Sequence, residues 1–232
     1  MTGLAAALAA HGLAATGGFV PRPDDGLPEA TAMLCLVGAD GPAMWQAFAA
    51  SPEASDGADS PLDRWSKRVL DGVAADLGAT PFYPFGGPPY APFLAWAARG
   101  EGAVASPLGM SVTPARGLHA SWRGALALPE VDDALRTRLL YRQEPPCTGC
   151  HRPCTTACPV DAFAGGRYDV AACVAHVDGP EGEACRIGGC QARGACPVSL
   201  PLPQAQRVFH LDAFLRARRA AAAEAAGGTT QG

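Results

Sequence analysis

Eight of the nine cysteines in this 232-residue chain fall between Cys147 and Cys196, opening with the run CTGCHRPCTTACP and closing with CQARGACP. The thiolate is the form of cysteine that ligates metal, and thiolates at this density suit soft, sulfur-seeking centres. A [4Fe-4S] cube takes four of them, and one short winding loop can supply three when they lie two or three residues apart. Cys147, Cys150, Cys154 and Cys158 form such a run, with Pro159 behind the last. Cys173, Cys185, Cys190 and Cys196 follow, and Cys196 has its own Pro197.

Two other uses of sulfur compete. Disulfide frameworks need an oxidising compartment and usually staple small secreted domains that lack an adequate core. Here 232 residues with 48% apolar content suffice for a core, and the first lysine or arginine is Arg22, so the Ala-rich stretch Met1 to Ala15 reads as a short amphipathic helix rather than a signal peptide. Structural zinc also uses thiolate pairs, but it typically sets two knuckles across a longer loop, whereas these four cysteines share one short run ending in Cys-Pro. Unpaired cysteines in this number imply a reducing, cytoplasmic location.

The run is similar to the C-x2-C-x2-C-x3-C-P pattern of bacterial two-cluster ferredoxins, in which the fourth cysteine ligates the other cluster, apart from one residue inserted between the second and third thiolates. The resemblance implies two [4Fe-4S] clusters that exchange their last ligand. One takes Cys147, Cys150, Cys154 and Cys196, and the other takes Cys158, Cys173, Cys185 and Cys190. A single cluster with spare thiols stays open, because the second set is irregularly spaced. With thiolates filling the coordination, His151 and His176 read as neighbours of the centres or as surface residues.

The elements that must position this module come next. A net charge of −4, with no basic block, gives no reason to expect nucleic acid, and no run of about eighteen apolar residues suggests a membrane span. Residues Leu4 to His11 read as a helix, Ala32 to Val37 as a buried strand ending at Gly38, and Ala43 to Ala49 as a short helix. Cys35, alone inside that strand, reads as a small core residue. After a polar loop from Ser51 to Ser60, Pro61 opens a helix whose apolar stripe Leu62, Trp65, Val69, Val73 and Leu77 runs to Gly78.

Pro81 to Phe93 is too proline-rich for regular structure and reads either as a rigid loop packed by its aromatic rings or as one wall of an apolar pocket. A helix over Pro92 to Arg99 and short strands at Ala103 to Ala105, Met110 to Thr113 and Ala125 to Leu128 follow. Val131 to Arg142 reads as an amphipathic helix ahead of the cysteines. Another helix after Pro203 carries Val208, Phe209, Leu211, Phe214 and Leu215, and then runs into a Gly-Thr-Gln tail expected to fray.

The stretch SPLGMSVTPARGLHASWRGALALP, Ser106 to Pro129, resembles a segment shared by CblC-type cobalamin-processing proteins and epoxyqueuosine reductase. The order of parts is similar to epoxyqueuosine reductases and reductive dehalogenases. The resemblance implies an α+β chain: a nitroreductase-like mixed α/β domain over 1–140, a ferredoxin-like iron–sulfur module over 141–203, and a C-terminal helix and tail over 204–232. It implies a corrinoid or flavin held by the first domain, with Trp122 and Arg123 as cofactor-binding candidates. Arg123 matches an arginine of the CblC-type proteins, where a guanidinium could bind a cofactor tail, or it is a surface arginine.

Two departures limit the resemblance. The acidic residue that serves epoxyqueuosine reductases as proton donor has no counterpart in Pro88-Pro89-Tyr90-Ala91-Pro92, so the epoxide chemistry lacks its general acid. Thr113 stands where the family often has histidine. No nucleophile with an adjacent base, no glycine-rich phosphate loop and no paired carboxylates point to a hydrolase or transferase. Two functions therefore stand side by side. One is an electron-transfer or reductase protein feeding a corrinoid, a flavin or a docked redox partner protein. The other is a corrinoid or small-ligand carrier whose cluster module is structural.

Overall fold

In a computed structural model, which describes residues 3–139 and 144–227, helix α1 (Leu4–Ala9) gives way at Gly12 (φ 64°) to strand β1 (Leu13–Phe19). There follow β2 (Met33–Ala39), α2 (Pro42–Ala49), α3 (Pro61–Leu77), β3 (Thr80–Phe82), α4 (Phe93–Glu101), the short pair β4 (Val104–Ala105) and β5 (Ser111–Val112), β6 (Trp122–Leu128) and α5 (Asp133–Leu139). The cysteine-rich part holds α6 (Val170–Asp178), α7 (Glu183–Gly188) and α8 (Gln191–Gly194), and α9 (Gln204–Gly227) ends the described chain. The chain is thus α+β. The expected end of the helix before the cysteines, at Arg142, the 140/141 boundary and the last residues of the tail lie outside the described residues.

One antiparallel sheet in the order β1-β2-β6-β3 organises the first half, and β4 and β5 form a separate two-stranded ribbon. β2 is buried along its whole length, which is why its sequence is continuously apolar. Successive side chains leave opposite faces of a strand. Met33, Cys35 and Val37 accordingly enter one core with α1, α2 and α3, while Leu34 and Leu36 enter a second core with Phe93, Trp96 and Ala97 of α4. The stripe expected on α3 is that helix's buried face at Leu62, Trp65, Val69 and Val73, and Cys35 is fully buried.

Two expectations are corrected. The proline-rich stretch, expected to hold no regular structure, opens in β3, where Pro81 and Phe82 pair with Leu126 and Ala125 on the edge of the sheet, a position that tolerates a missing N–H. The stretch read as helical to Ala15 becomes strand at Leu13, and the sequence hides it because Gly17 and Gly18 have poor strand propensity. Both are required by close approach: a Cβ on Gly17 would lie 2.3 Å from the Gly100 carbonyl oxygen, and one on Gly18 2.3 Å from that of Leu34. Contact with α4 and pairing with β2 override the local preference.

Candidate metal centres and an adjoining cavity

The cysteine run is wound by residues in the left-handed region, Gly149 (φ 69°) and Arg152 (φ 55°), and Asp161 (φ 47°) lies just beyond Cys158. Two of the three non-glycine residues with positive φ among the described residues thus sit at this loop, and such strain concentrates where side chains must converge. The backbone also supplies donors to sulfur. The Arg152 N–H lies 3.3 Å from the Cys150 Sγ, and the Ala162 N–H lies 3.4 Å from the Cys158 Sγ. The two Cys-Pro endings form the same turn, with Asp161 N–H donating to the Cys158 carbonyl (3.2 Å) and Ser199 N–H donating to that of Cys196 (3.1 Å).

The eight sulfurs fall into two groups. Cys147, Cys150, Cys154 and Cys196 line one small cavity together with Pro197 and Leu118. Burial pushes the Cys147 thiol up, and the thiolates of Cys150 and Cys196 push it further; Cys154 rises through burial and then through Cys196, Cys147 and Cys150. In the second group burial raises Cys173 and Cys185, and Cys190 and Cys158 raise both. Cys158 therefore stands in sequence with the first group and in space with the second.

Within the first group the neighbouring sulfurs favour one another's protonated form, and a bound metal would reverse that balance because its charge favours the thiolate. None of the nine cysteines is in a disulfide. Among the described residues, no three His, Cys, Asp or Glu side chains gather closely enough to hold a single metal ion. The donor set fits iron–sulfur cubes in number, softness and N–H···S bonding. Cys147, Cys150, Cys154 and Cys196 would hold one, and Cys158, Cys173, Cys185 and Cys190 the other.

Secondary structure presents the second group. Cys173 lies in α6, Cys185 in α7, and Cys190 just before α8. The Tyr168 hydroxyl hydrogen-bonds to Cys173 and stabilises its thiolate. That ring stacks on Phe163 (4.5 Å, 16°) and on Phe214 of α9 (5.6 Å, 23°). On the same helix Leu211 and Leu215 pack against Cys185 and Val177, while Phe209 packs on Trp45 (5.4 Å) and Phe48 (5.6 Å). α9 thus joins the cysteine-rich part to the core of the first half.

A loop of the first half docks on the sulfur-bearing part as well. Leu118 N–H donates to the Ser199 hydroxyl (3.0 Å), the His119 Nδ1 lies 2.8 Å from the Leu200 carbonyl, and Arg193 donates two hydrogen bonds to the Leu118 carbonyl. A Cβ on Gly117 (φ 56°) would lie 2.5 Å from Ser199 N, so only glycine permits this approach.

Between this loop, the second sulfur group and α9 lies a cavity of about 230 Å³. Cys190, His119, Arg193, Arg207 and His210 contribute its polar lining, and Met110, Tyr168, Leu202 and Phe214 are among its apolar walls. Burial pushes His210 down to about 3, with Arg193, Arg123 and His119 adding to the effect, and burial likewise lowers His119. Both imidazoles are therefore neutral at pH 7. None of Arg193, Arg207, His119 and His210 was singled out by sequence reasoning. The signal that could have found Arg193 is its place between Cys190 and Cys196, a guanidinium among thiolates.

Trp122 and Arg123 lie elsewhere. Trp122 donates its indole N–H to Glu101 (2.6 Å), which also accepts from Arg116 (2.7 Å). Arg123 pairs with Asp63 at 3.2 Å, its side chain 12% exposed. Neither residue lines the cavity beside Cys190 or the one formed by the first sulfur group. Phe82, in β3, packs edge-on against Trp96; beyond the strand Tyr83 stacks on Phe85 and its hydroxyl donates to Asp71 (2.7 Å), as the packed-loop reading expects, whereas Tyr90 is exposed. Among the described residues no helix is long and apolar enough to cross a membrane. Comparison of the chain with protein-family models, with curated proteins and with solved structures finds no match.

Proposed function

We propose that this chain is an iron–sulfur redox protein that carries electrons through two [4Fe-4S] clusters, one on Cys147, Cys150, Cys154 and Cys196 and one on Cys158, Cys173, Cys185 and Cys190. The observation that carries the reading is the grouping of the eight sulfurs into two fours across the order of the sequence. Burial, the N–H groups of Arg152 and Ala162, and the Tyr168 hydroxyl support it, since these are the levers by which a protein tunes a cluster's potential. A pair of cubes supplies one-electron transfer; the chain's own residues position the sulfurs, shield them from water and set the local charge.

The reading extends to the division into 1–140, 141–203 and 204–232, a nitroreductase-like first domain, a cytoplasmic location, and an acceptor that is a corrinoid or flavin at the first domain or a docked redox partner protein. A second reading, a corrinoid or small-ligand carrier with a structural cluster module, draws on the cavity between the two halves, which has room for a small ligand. The test is anaerobic purification with iron, zinc and acid-labile sulfide counts, followed by reduction with cobalamin or flavin present. About eight irons and eight sulfides per chain support two clusters. Zinc without sulfide sinks the proposal, and failure to bind either cofactor shifts weight to a plain ferredoxin that serves a docked partner protein.

A further inference from the structure

The cavity beside Cys190 holds two guanidiniums that pair with no carboxylate among the described residues. Arg193 and Arg207 both line it, and among the described residues no carboxylate does and neither guanidinium forms an ion pair. The neutral state of His119 and His210 leaves the two guanidiniums as its cationic groups. Arg193 spends two donors on the Leu118 carbonyl, whereas the Arg207 side chain makes no hydrogen bond among the described residues. Its Nε is sealed from solvent and has no partner. A buried donor without an acceptor is costly, and a bound anion removes that cost.

The rest of the lining is apolar. Tyr168 and Phe214 stack along one side, with Met110, Leu202 and Leu211 around them. At about 230 Å³ the space falls below the range of drug-sized pockets and far below a corrin macrocycle, but it suits one ring-sized body. Arginine presents a planar fork that matches a carboxylate.

We propose that this cavity is a binding site for a small organic carboxylate with an apolar, ring-sized body, its carboxylate on Arg207 and Arg193 and its body among Tyr168, Phe214 and Leu202, against Cys190. The site deepens the redox reading, on which it rests only for its consequence, that the ligand lies beside the second cluster. The binding itself depends on the two arginines and the apolar walls.

The experiment titrates benzoate, and benzamide as its uncharged counterpart, into the anaerobically purified full chain by calorimetry, with iron and sulfide counted on the same sample. Benzoate is expected to bind at one site, and benzamide about tenfold or more weaker, as loss of a charge-assisted pair requires. Arg207→Met is expected to lower benzoate affinity by about the same factor while keeping the stem that packs on Gly189. Leu202→Trp, which fills the space without changing charge, is expected to abolish binding and so covers a failure of the arginine variant to fold. Equal binding of benzoate and benzamide, full affinity in either folded variant, or no benzoate binding to the cluster-loaded chain overturns the proposal. Benzoate binding with these variant effects on a sample without sulfide supports this site while defeating the redox reading, so the two failures are distinguishable.

Discussion

Cys158 gives the sharpest test of the ligand partition, because sequence neighbourhood and spatial neighbourhood disagree about it. It closes the run that begins at Cys147, yet it raises the thiols of Cys173 and Cys185, while Cys147 and Cys154 are raised by Cys196. Serine is a hard oxygen donor and replaces a thiolate poorly on soft metal. Cys158→Ser is therefore expected to take the chain from about eight irons and eight sulfides to about four of each, with the remaining cluster on Cys147, Cys150, Cys154 and Cys196. Cys196→Ser should do the reverse, and Cys35→Ser, remote in the sheet core, should leave both counts unchanged.

Iron and sulfide analysis gives the counts, and electron paramagnetic resonance of the reduced protein tells the two remaining centres apart, because their surroundings differ. Tyr168 and the chain around α6 and α7 should also loosen in Cys158→Ser and not in Cys196→Ser, readable as faster amide exchange near Val177 and Cys185, since metal binding contributes folding free energy. The reasoning fails if Cys158→Ser and Cys196→Ser leave the same cluster behind, or if Cys158→Ser empties the Cys147 group.

Three further outcomes are expected. Glu101, 3% exposed, accepts from Arg116, Trp122 and Thr16, so Glu101→Gln should cost about 3 kcal/mol in urea unfolding by leaving a buried guanidinium uncompensated; a cost near zero defeats that account. Gly17→Ala should cost about 1–3 kcal/mol, because its Cβ would meet the Gly100 oxygen at 2.3 Å, and a melting temperature equal to the parent's would show that α4 moves aside freely. His210 is held down to about 3 in the fold against about 6.5 unfolded, so the unfolded chain takes the proton first. Stability from this group is complete above about pH 6.5 and declines as pH falls toward 3, by about 1 kcal/mol between pH 7.5 and 5.5. His210→Phe should flatten that slope in urea titrations, and an unchanged slope refutes it.

Local pattern determined much of this protein. The apolar run of β2, the stripe of α3 ending at Gly78 and the helix after Pro203 are written in neighbouring residues, because periodicity and glycine or proline punctuation act over a few positions. The cysteine spacing likewise names eight candidate thiolates and the two Cys-Pro turns. Other features depend on partners far away in the chain. β1 is a strand because β2 and α4 press against Gly17 and Gly18, and Trp122 and Arg123 are held by Glu101 and Asp63. The cavity beside Cys190 arises where a loop of the first half, the cysteine-rich part and α9 meet. Spacing marks which residues can bear charge or bind metal, but only tertiary packing decides which are desolvated, which are neutralised, and which, like the Arg207 Nε, have no partner among the described residues.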